Sequence, residues 1–347
     1  MDRRAFLAGF AAVAATGATG VALGSKRDEA GVLRVGVMSN LTHAPLLAGL
    51  GSGRVARALA PVRVESRVFR AGPRVTEALL GDAIDVGTTG PAPAVVHHAR
   101  HSSGGRGGLR VLAGCASGGA SLVVMKRARI AGPADLHGRR IAITQLGTTQ
   151  DLTLRSYLAE HGLRDLAAGG DVNVIAIDGA TILAQLKGGA LDGAWLAEPW
   201  ATRVVRELNA VRLIDERDLW EGRRFATAIV VSRAARAADA SVKRFVIALE
   251  EEVARALRDP ATARDEAYAE LTRRVGNAGK RADFDAAWSF IDFTSDPLPA
   301  SIEIFAKRAT SLGLVPPGAT IAGLLPERTR SGERSRSPGA SGVAAGP

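Results

Sequence analysis

The sequence predicts an α/β protein of two lobes, each built on a mostly parallel sheet, joined by two crossover strands. Two internal echoes and the chain length predict it. Arg34-Val35-Gly36-Val37 is repeated in type by Arg140-Ile141-Ala142-Ile143, 106 positions later. Gly81-Asp82-Ala83-Ile84-Asp85 is repeated by Gly188-Gly189-Ala190-Leu191-Asp192, 107 positions later. Two echoes at nearly one offset point to a duplicated unit, and 347 residues are more than one hydrophobic core usually serves.

Both arginine-led runs read as short buried strands. Further strand-like runs follow at Val62 to Phe69 and Val172 to Ile177, with helical runs at Pro73 to Leu80 and Ala180 to Lys187, each ended by glycine. Strand, helix, strand, helix, strand in both halves is the alternation that builds a parallel sheet with helices on its faces. Ser121 to Met125 carries the chain out of the first lobe and Ala226 to Val231 brings it back. The expected first lobe is therefore residues 31–122 with 226–325, the second is residues 123–225, and the two crossings suit a hinge. Amphipathic runs at Ser241 to Arg258, Ala261 to Val275, Phe284 to Ile291 and Ser301 to Leu312 are expected as helices on the first lobe.

Composition agrees. Hydrophobic residues make up 46%, aromatics only 4%, and there are 40 glycines, which predicts cores of Ala, Val, Leu and Ile with many tight turns. The formal charge of +10 attracts nucleic acid, anionic membrane or anionic solutes alike. Its arginines are scattered beside Asp and Glu, with no basic helix interleaved with aromatics, so nucleic acid is not an expected partner. The single cysteine excludes an intramolecular disulfide or a cysteine-cluster metal site, and Cys115, within Val111-Leu112-Ala113-Gly114-Cys115, reads as a small buried hydrophobe. His97 and His101 stand one helical turn apart, a chelating spacing, but without a carboxylate or thiol beside them in sequence, and Ser102-Ser103-Gly104-Gly105 reads as the solvated end of a helix. No metal site, cofactor or catalytic residue is expected, and no Gly-x-Ser-x-Gly elbow occurs.

The amino terminus reads as an address. Met1-Asp2-Arg3-Arg4-Ala5-Phe6-Leu7 and the small-residue apolar run to Val21 have the order of a secretory signal, and Arg3-Arg4-x-Phe6-Leu7 resembles the twin-arginine signal read by the Tat translocon. Ala22 and Gly24 place small residues for a signal peptidase, so residues 1–24 are expected to be removed and the protein to lie in a periplasm, without a lipid-anchor cysteine. The alternative is an uncleaved anchor, although the run is diluted with Gly and Thr. Residues 326–347, rich in Arg, Ser, Gly and Pro, read as a disordered basic tail.

Ligands of open parallel sheets bind beyond the carboxyl ends of the strands. The first such rim offers Asn40, Thr42 and His43, together with Thr88, Thr89 and Gly90. The second offers Thr148, Thr149 and Gln150, with Asp178 and Glu198. Helix starts there present unpaired N–H groups and positive partial charge, which hold a small oxyanion. Thr89, Thr148 and Thr149 serve equally as helix caps. Glu198 either meets the ammonium of a zwitterion or pairs with Arg203, and His43 either donates to an anion or is a rim residue.

Gly147-Thr148-Thr149-Gln150-Asp151-Leu152, with Leu154-Arg155-x-Tyr157-Leu158 and Gly162-Leu163, resembles the nitrate, sulfonate and taurine class of periplasmic binding proteins. Asp192 to Trp200, Asp85 to Gly90 with Pro93, and Pro297 to Leu314 strengthen the resemblance, which covers residues 31–325. It implies a type II periplasmic-binding fold, a monomer that hands a small anion or zwitterion to an ABC permease, and no catalysis. It also implies a ligand cleft lined by Asn40 to His43, Thr88 to Gly90 and Thr148 to Gln150. The loop Gly104 to Gly108 looks like an insertion relative to the family. A thiamine-pyrimidine-synthase-like enzyme of the same superfamily would carry a cysteine-rich motif that this sequence lacks. A periplasmic sensor presenting ligand to a receptor would use the same clamp.

Overall fold

A computed structural model describes residues 31–103 and 107–326. The expected signal, residues 1–24, lies outside them, as do Gly104 to Arg106 of the glycine-arginine loop and the tail beyond Pro326. The chain divides into Met1–Gly31 and Val32–Pro347, and the second unit holds every described strand and helix.

Two sheets organise this unit. The first has six strands in the order β11-β4-β10-β3-β1-β2, and the second has five in the order β7-β6-β8-β5-β9. In the first, β1 (Val32–Met38) lies parallel to β2 (Arg63–Phe69) and β3 (Val86–Thr89). In the second, β6 (Arg140–Ile143) lies parallel to β7 (Asn173–Ala176) and β8 (Gly193–Ala197). The sequence echo appears as a register echo: Val35 faces Val86 in the first sheet as Ile141 faces Gly193 in the second.

Strand β1 shows why these residues form a sheet. Leu33, Val35 and Val37 alternate onto one face and are fully buried. On the other face Gly36 leaves room for Ile84, whose Cδ1 would lie 2.6 Å from any Cβ at that position.

Each parallel trio is extended by an antiparallel strand that the chain inserts on its way between sheets. Strand β4 (Leu109–Gly118) belongs to the first sheet and β5 (Ala120–Val124) to the second, lying between β8 and β9 (Val211–Asp215). The return strand β10 (Ala226–Arg233) enters the first sheet between β3 and β4. At the outward crossing Gly118 and Gly119 both have positive φ, 73° and 75°, and a Cβ on Gly119 would come 2.6 Å from Ile291 Cγ1. Two consecutive left-handed residues at so close an approach require glycine.

Helices cover both faces of the first sheet. On one face α1 (Ala44–Gly51), α2 (Arg54–Leu59), α8 (Ala240–Arg258) and α9 (Pro260–Val275) close a core around Leu46, Leu47, Phe245 and Leu249. On the other, α3 (Gly72–Leu80), α4 (Pro91–Ser103) and α11 (Pro299–Ser311) close one around Val75, Leu79, Ile302 and Phe305. The second sheet has its own core with Trp195 at its centre, flanked by α5 (Thr149–Glu160), α6 (Gly179–Gly188) and α7 (Trp200–Leu208). The aliphatic cores expected from composition are thus present, and Cys115 is fully buried in the first.

The helix expected over Phe284 to Ile291 is corrected. Helix α10 covers Arg281–Ala287, and after a 3-10 turn the chain forms the edge strand β11 (Ile291–Phe293), antiparallel to β4. Buried Ile291 and Phe293 flank exposed Asp292, a period of two that suits a strand edge and overrides the helical run before it. No helix among the described residues is long and apolar enough to cross a membrane.

Candidate functional site

All six parallel strands end at one place. Beyond β1 the chain turns through Asn40, Thr42 and His43 into α1; beyond β2 and β3 it starts α3 and α4; beyond β6, β7 and β8 it starts α5, α6 and α7. Every one of these turns contributes to the lining of a single cavity of about 890 Å³. A parallel sheet feeding a following helix points helix N-termini to its carboxyl edge, so six helix starts direct positive partial charge at the cavity. The two halves touch there. A Cβ on Gly90 would overlap Thr149 Oγ1, and the Leu41 N–H donates to the Glu198 carbonyl at 3.2 Å.

The side chains on this lining divide into those already engaged and those not. Asn40 Oδ1 accepts from the Thr42 backbone N–H at 3.1 Å and the Thr42 hydroxyl at 2.6 Å. Thr148 caps α5, accepting from the Asp151 N–H at 3.3 Å while donating to the Gln145 carbonyl at 2.8 Å. Asp178 caps α6 through the Ala180 and Thr181 N–H groups and also accepts from the Thr181 hydroxyl. Those bonds from Thr181 and Ala180 hold its carboxyl below the usual carboxylate range.

Thr149 and His43 differ. Thr149 is 3% exposed and its Oγ1 has no partner; His43 is 1% exposed and its Nδ1 has none. Burial pushes the His43 imidazole down to about 3, so the ring is neutral near pH 7. A neutral imidazole offers one donor and one acceptor, and a buried polar atom without a partner is uncommon enough to mark a place for one.

A family model describing the NMT1-like family matches residues 26–271. The chain belongs to that family. No curated protein sequence matches it. Among solved structures, the NMT1-like chain is similar to the alkanesulfonate-binding protein SsuA from Xanthomonas axonopodis pv. citri bound to MOPS, with TM-score 0.69 and 21% identity over 85% of this chain and 98% of that one. It is similar also to the periplasmic aliphatic sulphonate binding protein SsuA from Escherichia coli, with TM-score 0.68 and 19% identity over 90% and 98%. The periplasmic nitrate-binding protein NrtA from Synechocystis PCC 6803 gives TM-score 0.67 and 18% identity over 83% of each chain. At these identities the likeness is one of fold, and it is the type II periplasmic-binding fold expected from the sequence. These neighbours are binding proteins.

Of the expected ligand residues of this NMT1-like protein, Asn40, Thr42, His43, Gly90, Thr148, Thr149, Gln150 and Asp178 line the cavity. Thr88, Thr89 and Glu198 are not on its lining. Thr88 and Thr89 are fully buried within β3, and the Thr89 hydroxyl donates to the Gly72 carbonyl at 3.2 Å, so it fixes the start of α3 and caps no helix.

The expected pairing of Glu198 with Arg203 is corrected. Its carboxylate is fully buried, accepts the Thr202 N–H at 3.0 Å and pairs with Arg212 at 2.7 Å. It caps α7 and neutralises Arg212, whose guanidinium also lies 3.7 Å over the Phe290 ring. Burial pushes the Glu198 carboxyl up, opposed by Arg212 and Thr202. Arg203 turns elsewhere, pairing with Glu207 at 2.9 Å and lying over the Trp200 ring.

Sequence reasoning missed the cavity's arginines and one of its walls. Arg70, Arg203 and Arg274 line it, and so do Leu271, Val275, Asn277 and Ala278 from the end of α9 and the turn beyond. In a chain with 45 basic residues no single arginine stands out. A wall contributed by a segment far away in sequence leaves no local pattern.

Proposed function

We propose that this protein is the exported solute-binding component of an ABC importer, a clamp that captures a small organic anion and delivers it to a membrane permease. The observation that carries this reading is the convergence of six helix starts, from both sheets, on one cavity whose buried Thr149 hydroxyl and His43 imidazole are unpartnered. Such a ring stabilises negative charge without a buried cation. The direct ligand contacts are Thr149 and His43, with Asn40, Thr42, Gly90, Thr148 and Gln150 around them and Asp178 beyond. Thr89 and Glu198 hold the rim in shape, and the hydroxyl of buried Thr88 has no partner.

An aliphatic sulfonate suits the cavity better than nitrate or bicarbonate, because about 890 Å³ is far more than so small an oxyanion fills. A taurine-like amine is less well served. Asp178 is the one carboxylate on the described lining, and both its oxygens already accept hydrogen bonds at the α6 cap. The lobes in this reading are residues 31–122 with 226–325, and residues 123–225, hinged at the β4–β5 and β9–β10 crossings. The Arg3-Arg4-x-Phe6-Leu7 signal routes the folded monomer through the Tat translocon to the periplasm.

A thermal-shift screen of alkanesulfonates, taurine, nitrate and bicarbonate tests it. A ligand at a hundred times its Kd adds about 2.7 kcal/mol to stability. At least one sulfonate is expected to raise the melting temperature saturably, and no shift by any of these anions sinks the reading.

A further inference from the structure

Three guanidinium groups face the cavity, and their electrostatic situations differ. Arg203 is paired with Glu207. Arg274 is paired with Glu270 and donates to Ser66 Oγ at 2.8 Å. Arg70 makes no ion pair and no side-chain hydrogen bond with any described residue, although it stands on the lining between β2 and α3. Arg70 is therefore the one guanidinium on the described lining with no carboxylate in contact with it, and the lining's one carboxylate, Asp178, accepts only from neutral donors at its own helix start.

Depth separates that charge from the floor of the site. Thr149 and His43 are almost fully buried, whereas Arg70 is exposed, so it occupies the mouth. A single compact oxyanion seated against Thr149 leaves the mouth's charge unanswered, and the cavity volume leaves room for a ligand that reaches both.

From this arrangement, which rests on the anion-binding reading above, we infer that Arg70 is a specificity-determining residue and that the preferred ligand is an organic dianion. One acidic group of the ligand sits at the helix starts around Thr149 and a second, across a short carbon spacer, meets Arg70 at the mouth. Arginine suits this role because its fork binds a carboxylate or a sulfonate through two parallel hydrogen bonds. The lining also offers apolar surface, Val68 and Pro93 among it, against which the spacer packs.

Isothermal titration of the full chain at matched ionic strength tests the inference with two pairs of probes, propanesulfonate against propanedisulfonate and butyrate against glutarate. In at least one pair the dianion is expected to bind about five- to tenfold more tightly, the worth of a charge-assisted hydrogen bond at a partly exposed site. Arg70→Gln is expected to shrink that preference below about twofold, and Arg70→Lys to keep part of it, since a point charge retains attraction but loses the fork. Arg70 has no partner within the described residues, so neither variant threatens the fold, and an unchanged ligand-free melting temperature checks that. Equal binding within both pairs by the wild type, or a preference that survives Arg70→Gln, overturns the role of Arg70 and leaves the anion reading standing. Failure of all four probes to bind overturns the dianion preference, and the anion reading falls with it only when the thermal-shift screen is also blank.

Discussion

The two halves of the molecule agree where their sheets begin and differ where they end. At the beginnings, Arg34 and Asp85 form the same buckle as Arg140 and Asp192. In each, the arginine backbone N–H and Nε donate to one carboxylate oxygen and Nη2 donates to the other. At the ends, the first half presents Asn40, Thr42 and His43 and the second presents Thr148, Thr149 and Gln150. The bracing is shared and the binding surface is not, so the echo records how each sheet is tied together and carries little about the ligand.

The buckles are not equal in depth, and that inequality is the largest effect to test. Asp85 is 2% exposed and takes a further ion pair from Arg236 at 3.0 Å, whereas the Asp192 side chain is 13% exposed and Arg140 42%. Removing one partner from a buried pair is costly because it strands the other partner's charge and hydrogen bonds. Asp85→Ala is expected to lose about 3 kcal/mol in chemical denaturation and Asp192→Ala about 1 kcal/mol. Ligand affinity should be retained by whatever fraction remains folded. Equal losses from the two would mean that burial does not set the buckle's worth.

At the other end of the sheets the ordering reverses. Thr149→Val removes a buried hydroxyl that has no partner in the ligand-free protein, so the fold gains or stays level, while an anion loses one donor. Affinity for the ligand found by screening should fall about tenfold with no drop in the ligand-free melting temperature. A parallel loss of both would make Thr149 a structural residue like its neighbour Thr148, whose hydroxyl does cap α5.

How much of this was legible in the sequence obeys the same division. The echoes that hold the buckle residues were visible as a repeated pattern although the pairing of Arg34 with Asp85 and of Arg140 with Asp192 was not, and the helix starts were visible because glycine, threonine and asparagine mark the ends of strands. Glu198 misled because its partner, Arg212, comes from β9, where the local neighbour Arg203 offered a nearer candidate. Trp288 to Phe293 misled because an edge strand followed directly on a helical run. The wall from Leu271 to Ala278 was illegible for a topological reason: it belongs to a helix that packs back on the first sheet after the chain has built the second.

Glu216 gives the sharpest contrast with the buckles. Burial tends to raise every carboxyl here, but at Asp85 hydrogen bonds from Arg34 and the charges of Arg236 and Arg34 outweigh it, and the group stays below its usual range. Fully buried Glu216 instead accepts from neutral donors, Trp195 Nε1 at 2.8 Å and Thr153 Oγ1 at 2.9 Å, and burial carries it up to about 7. The two groups therefore give opposite slopes of stability with pH. Asp85, lowered in the fold, contributes above the unfolded carboxyl range and loses that contribution as acid protonates it. Glu216, raised in the fold, contributes fully below its unfolded value and loses that contribution as pH rises through about 7. Glu216→Gln imitates the protonated form, since the amide still accepts from Trp195 and donates to Thr153. The variant's stability relative to wild type should climb between pH 5 and pH 8, by about 2 kcal/mol. A difference that is flat with pH would mean that Glu216 ionises in the fold as readily as it does in the unfolded chain.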